Sequence, residues 1–198
     1  MNTRIRKSFF GNCVKGAIVV ATLCASTFVS AGVLTFADTT VAGPLWNRPI
    51  QNGIFVPVSL SLVGTNVAYD VTHFQVDTTG VYDILVTATA PANWDNYTFL
   101  YKGAFDPTQP LVNVMIGNDN FATIGLSGFN GLGLSTGTDY FLVETGFNNT
   151  DAGTYSAQIT GLTGTAFLPS NNVPEPSSLA LVGVALLAAT VARRRKSA

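Results

Sequence analysis

The chain has 198 residues, of which 47% are hydrophobic and only 11% charged, with a formal net charge of −1. Globular domains carry about a quarter charged residues, and the shortfall is explained by where the charges lie: Arg4, Arg6, Lys7 and Lys15 open the chain, and Arg193, Arg194, Arg195 and Lys196 close it. The interior keeps Arg48 and Lys102 against ten carboxylates between Asp38 and Asp151, a formal charge of −8, which excludes nucleic acid as a partner because phosphate binding needs clustered cations.

Residues 1–31 read as a secretory signal peptide, with a basic start through Lys15, an apolar run from Ala17 to Val29 and a small-residue cleavage site at Val29-Ser30-Ala31. Cleavage is expected after Ala31, with Ala37 as the alternative. The partners this implies are the secretion translocon and signal peptidase. Leu23 before Cys24 does not fit a lipidation site, and Arg6-Lys7-Ser8-Phe9 matches a twin-arginine signal only loosely. Both cysteines, Cys13 and Cys24, fall in the removed segment, so the mature protein has neither a disulfide nor a thiol nucleophile.

Residues 32–51, with Pro44, Trp46 and Pro49, read as a lead-in segment, either a strand or a loose arm. From residue 52 to 161 short β-rich runs alternate with Gly, Asn, Asp and Thr. The expected strands are Ile54 to Val63, Val67 to Val76, Val81 to Ala90, Tyr97 to Lys102, Leu111 to Ile116, Ala122 to Leu126, Asp139 to Glu144 and Gly153 to Thr160. Pro57 assigns the first to a sheet edge or a bulge. Tyr82, Ile84 and Val86 alternate with Val81, Asp83 and Leu85, partly apolar on both sides, which suits a central strand. Turn chemistry at Asp77-Thr78-Thr79-Gly80, Thr136-Gly137-Thr138-Asp139 and Asp151-Ala152-Gly153 separates the runs. Strands at intervals of roughly 8 to 12 residues predict an all-β sandwich or barrel.

Thr79-Gly80-Val81-Tyr82-Asp83-Ile84, Asp95-Asn96-Tyr97-Thr98-Phe99-Leu100-Tyr101 and Asp151-Ala152-Gly153-Thr154-Tyr155 resemble strands of bacterial pre-peptidase C-terminal domains. The resemblance implies a jelly-roll-like antiparallel β-sandwich acting as a secreted binding or folding accessory.

Residues 162–178, with Pro169, Asn171 and Asn172, read as a linker leading into Val173-Pro174-Glu175-Pro176. Residues 179–198 hold a 14-residue apolar stretch, Leu179 to Ala192, and the basic cluster. As a helix that stretch spans about 21 Å, short of a hydrocarbon core near 30 Å. Snorkelling arginines and local thinning let such a segment insert as a transmembrane-like helix. The order Val-Pro-Glu-Pro-Ser-Ser, short apolar helix, arginine cluster resembles the PEP-CTERM sorting signal of Gram-negative bacteria. The resemblance implies an exosortase that processes the tail near Pro174-Glu175-Pro176. It also implies transient anchoring in the inner membrane, then release to the cell envelope or an extracellular biofilm matrix rich in polysaccharide.

Catalytic chemistry is thin. His73 is the sole histidine and points to solvent if Phe74 and Val76 face inward, and one histidine without cysteine does not fill a zinc site. No motif selects a pair among the ten acids, so a carboxylate hydrolase is the lesser reading. The expected function is therefore a non-enzymatic surface or matrix protein with no required cofactor. The alternative is a calcium- or carbohydrate-binding module. Asn118-Asp119-Asn120 is the candidate calcium loop, with Asp106, Asp139 or Asp151 as further oxygen donors, against ordinary turn chemistry. Trp94 is the candidate sugar-stacking residue, with Trp46, Tyr97 and Tyr101 beside it, against core packing.

Overall fold

The computed structural model describes residues 31–92 and 94–169. The signal peptide, the motif Val173 to Pro176, the cluster Arg193 to Lys196 and the helices expected at both ends lie outside these residues. Ten strands form and no helix is present among the described residues. They are β1 (Val33–Thr39), β2 (Leu45–Trp46), β3 (Val67–Val76), β4 (Gly80–Ala90) and β5 (Asn96–Lys102). Then follow β6 (Val114–Asn118), β7 (Leu126–Leu134), β8 (Tyr140–Gly146), β9 (Thr154–Gly161) and β10 (Ala166–Phe167).

All pairings are antiparallel, in two sheets: β1-β9-β4-β7, and β10-β3-β8-β5-β6 with β2 also on β3. From β3 to β9 every connection except β5 to β6 passes from one sheet to the other. That interleaving is the double Greek key of a jelly roll.

The period of two along each strand builds the core between the sheets. On β4, Tyr82, Ile84, Val86 and Ala88 are buried, while Val81, Asp83, Leu85 and Thr87 face outward. They meet Phe74 and Val76 of β3, Leu142 of β8 and Leu100 of β5 across the gap. β5 is buried on both sides from Asn96 to Tyr101. Its outward row, Tyr97, Phe99 and Tyr101, joins Trp46, Val67, Tyr69, Val114 and Val143 in a second core outside the sheet. Trp46 packs edge-on against Phe99 at 5.7 Å and Phe105 at 5.5 Å. Among the described residues both cores draw on positions between Leu34 and Ala166, all within residues 32–171.

Several sequence expectations change. The lead-in segment 32–51 belongs to the sandwich: β1 completes the first sheet by pairing with β9 from Val33↔Thr160 to Thr39↔Thr154. β10 lies inside the expected linker. The stretch expected as a strand from Ala122 to Leu126 is a turn as far as Gly125, closed by the Phe121 amide donating to Leu126 O and the Leu126 amide to Thr123 O. The strand there is β7, hidden by its glycines. Gly128, at φ +155°, is required because a Cβ would lie 2.2 Å from Ile84 O. Ile54 to Val63 is no sheet strand but half of a short arm, in which the Ser61 amide donates to Arg48 O and the Ile50 amide to Ser59 O. Pro49 and Pro57 lack the N–H groups that a longer ladder needs.

Candidate functional site

Arg48 leaves β2 just as the chain enters the arm, and it is only 2% exposed. Its Nε donates to Gly146 O and Phe147 O, Nη1 to Pro49 O and Nη2 to Phe147 O. Its guanidinium carbon lies 4.1 Å from the Tyr97 ring centroid and 5.2 Å from that of Phe147. Burial lowers its pKa below the usual guanidinium value, although a guanidinium stays charged in proteins. Next to it opens a pocket of about 290 Å³ lined by Ile50, Leu62, Val63, Tyr97, Asp119 and Phe147 among others.

Gln51 ties the pocket together: its amide donates to the Tyr97 hydroxyl at 2.6 Å, and its Oε1 accepts from the Asp119 amide at 2.7 Å. Burial pushes the Tyr97 phenol up to about 12. Burial first, and Asp95 second, push Asp119 up to about 6 while Arg48 pulls it down. Asp95 is also raised, by burial and then by Asp151. Oδ1 of Asp95 and Oδ1 of Asp119 are both shut off from solvent without a hydrogen-bond partner. The arrangement is an apolar hole with a half-buried carboxyl at its edge, suited to holding an apolar group or accepting one donor.

Between the sheets a polar network interrupts the apolar core. Glu144 is fully buried. Asn96 Nδ2 donates to Glu144 Oε1 at 2.9 Å and to Ser127 Oγ at 2.7 Å. Thr98 donates its single hydroxyl proton to Glu144 Oε2, which leaves it to accept from Ser127. Burial drives Glu144 up to about 8, with Thr98 and Asn96 opposing and Asp70 reinforcing. Asp70 lies opposite Glu144 in the β3–β8 register and accepts from the Tyr155 hydroxyl. These carboxylates converge, yet Glu144 has no surface that a substrate touches. The sequence signal was available: Asp70, Asn96, Thr98 and Glu144 are polar residues at inward positions of otherwise apolar strands.

The sequence candidates fare differently. Trp94 is buried, and its indole N–H donates to Thr154 O at 2.9 Å, so the sugar-stacking role gives way to core packing. Trp46, Tyr97 and Tyr101 are buried as well. Asn118-Asp119-Asn120 does not converge: Asn118 Oδ1 turns inward to accept from the Gly128 amide, Asp119 faces Asp95 and Arg48, and Asn120 is exposed. Of the further acids, Asp151 acts on Asp119, whereas Asp106 accepts from Thr108 and Gln109, and Asp139 from Gln75 while pairing with His73. Among the described residues no group of three or more His, Cys, Asp or Glu is placed to hold a metal ion. His73 faces outward as expected, stacked on Phe141 at 4.8 Å.

The described residues end at residue 169, and residues 172–196 match the family model of the PEP-CTERM protein-sorting motif. The chain carries a PEP-CTERM sorting motif. The PEP-CTERM motif implies export toward the cell envelope or extracellular space and an exosortase as the processing partner. It contains Val173 to Pro176 and Arg193 to Lys196, the residues singled out in the sequence. No curated protein matches the chain at a significant level.

Proposed function

We propose that this is a non-enzymatic surface or extracellular-matrix protein that works with extracellular polysaccharide in a biofilm after an exosortase has processed its tail. The observation that carries the reading is the sorting motif directly after a closed jelly roll. Supporting it, Trp46, Trp94, Tyr97, Tyr101 and Glu144 are committed to packing, and the charge of −8 keeps an exported domain soluble. The N-terminal address fits too: cleavage after Ala31 keeps β1 whole, whereas cleavage after Ala37 would strip Val33 to Ala37 from the edge of β9.

Mass spectrometry of the native product from envelope and medium tests the processing, with termini expected at Gly32 and near Pro174 to Pro176. Full-length chain in the cytosol would sink it. Co-sedimentation with the producer's matrix, before and after the polysaccharide is digested, tests the destination. Undiminished sedimentation after digestion would remove the polysaccharide link. The unpartnered oxygens of Asp95 and Asp119 favour one second reading, a calcium-binding accessory module. Calorimetry of residues 32–171 with calcium that gave no heat and no melting shift would remove it.

A further inference from the structure

The arm between Arg48 and Gly64 is a hairpin, with the Arg48 amide donating to Gly64 O and a reversal at Gly53, φ +58°. No residue from Pro49 to Tyr69 is charged. Its side chains stand in water: Ile54 is 83% exposed, Phe55 67%, Val58 74% and Leu62 91%. Ile50, Val56 and Val63 are exposed too. Monomeric proteins seldom leave apolar patches beyond roughly a few hundred Å² uncovered, so this surface calls for an occupant.

The same arm carries the matching hole. The pocket of about 290 Å³ at its base is walled by Ile50, Leu62, Val63, Tyr97 and Phe147, large enough for a phenyl ring. Phe55 at the tip and the pocket at the base are separated by about five residues of extended chain, on the order of 17 Å. Two such arms laid antiparallel about a two-fold axis bring each tip to the other's base, a closed arrangement that satisfies both holes at once. Charge selects the same surface. Two domains of −8 repel wherever their carboxylates meet, and the arm is the charge-free stretch through which they approach.

Shape favours a second copy over a bilayer: one arm carries both a projecting ring, Phe55, and a hole of about the size of that ring, a pairing that a lipid surface does not use. We propose that the arm binds a second copy of this chain, with Phe55 of each copy seated in the pocket of the other, giving a two-fold dimer of the exported domain.

Sedimentation velocity on residues 32–171, which contain both cores, tests this between about 1 and 100 µM. A monomer–dimer equilibrium is expected that tightens as salt rises, because salt screens the repulsion between the acidic domains. Phe55→Ser, at an exposed position, should leave the melting temperature unchanged and weaken the dimer at least about tenfold. Val63→Trp should fill the pocket and do the same, and mixing the two variants should restore association, since each supplies the part the other lacks. A monomer at every concentration and salt, a Phe55→Ser protein that dimerises like the wild type, or mixed variants that stay apart would overturn the proposal. So would binding to phosphatidylcholine vesicles that Phe55→Ser abolishes in a protein that never self-associates, which would assign the arm to a membrane.

Discussion

The second sheet buries both of its faces, and it does so by different means. Its inner face is covered by another sheet, so Phe74, Leu100 and Leu142 meet Tyr82, Ile84 and Ile159 through alternation that runs along every strand. Among the described residues its outer face has no partner sheet. Tyr97, Phe99, Tyr101 and Val143 are covered there by β2 and by Phe105 from the loop after β5, and Arg48 is stacked onto Tyr97 at their margin. The inner core is therefore a property of the sheets themselves. The outer core depends on irregular segments, and the pocket and the arm are by-products of how those segments are pinned.

The largest effects separate the two cores. Trp46→Ala is expected to cost about 3–5 kcal/mol and Ile84→Ala about 2–5 kcal/mol in urea denaturation. Where the loss appears is the sharper measurement. Hydrogen exchange in Trp46→Ala should accelerate first in β2 and the arm while β4 and β9 stay protected, whereas Ile84→Ala should open β4, β7 and β9 together. Uniform acceleration in Trp46→Ala would mean that the cores are one cooperative unit.

Next in size is Arg48→Ala, which leaves the carbonyls of Pro49, Gly146 and Phe147 without their buried donor. A loss of about 3 kcal/mol is expected. Asp119 should then titrate above its present value of about 6, as followed by its carboxyl carbon resonance, because the cation that lowers it is gone. An unmoved titration would disconnect the two groups.

The inner core answers to pH instead. Glu144, ordinarily near 4.5, is raised to about 8 in the fold, so between those values the folded chain holds a proton that the unfolded chain has lost. Stability is then full in acid and falls as pH rises through that window, by up to about 1.4 kcal/mol per pH unit. Asp119 adds to the same trend at lower pH, since it too is raised. Glu144→Gln should flatten the profile between pH 5 and 8, and a slope that persists would place its source elsewhere. The smallest effect belongs to Asp139→Asn. Its pair with His73 is open to solvent on both sides, and melting should not move measurably.

Much of the sandwich was readable along the chain. Val67 to Val76 coincides with β3, and β4, β5, β8 and β9 begin and end within two residues of their expected bounds. Those strands have a buried row whose period of two shows in the sequence. β7 escaped because Gly128, Gly131 and Gly133 look like breakers until the close approach of Ile84 O explains the first of them. The arm was misread in the other direction: Ile54 to Val63 is as apolar as a strand, yet no strand lies beside it. Trp94 does lie in the loop between β4 and β5, and its burial in the inner core decided between the two roles that the sequence left open.

Local order alone determined the destination and the class of the domain, because a sorting motif is read as a linear segment and strand periodicity is a property of consecutive residues. Everything that requires residues distant in the chain was decided by the tertiary structure. Arg48 meets Gly146 and Phe147 almost a hundred positions away, and Asn96, Ser127 and Glu144 converge from three separate strands. The reason is physical: hydrogen bonds, burial and the pKa values they shift depend on distance in space, and only the winding of the two sheets sets that distance.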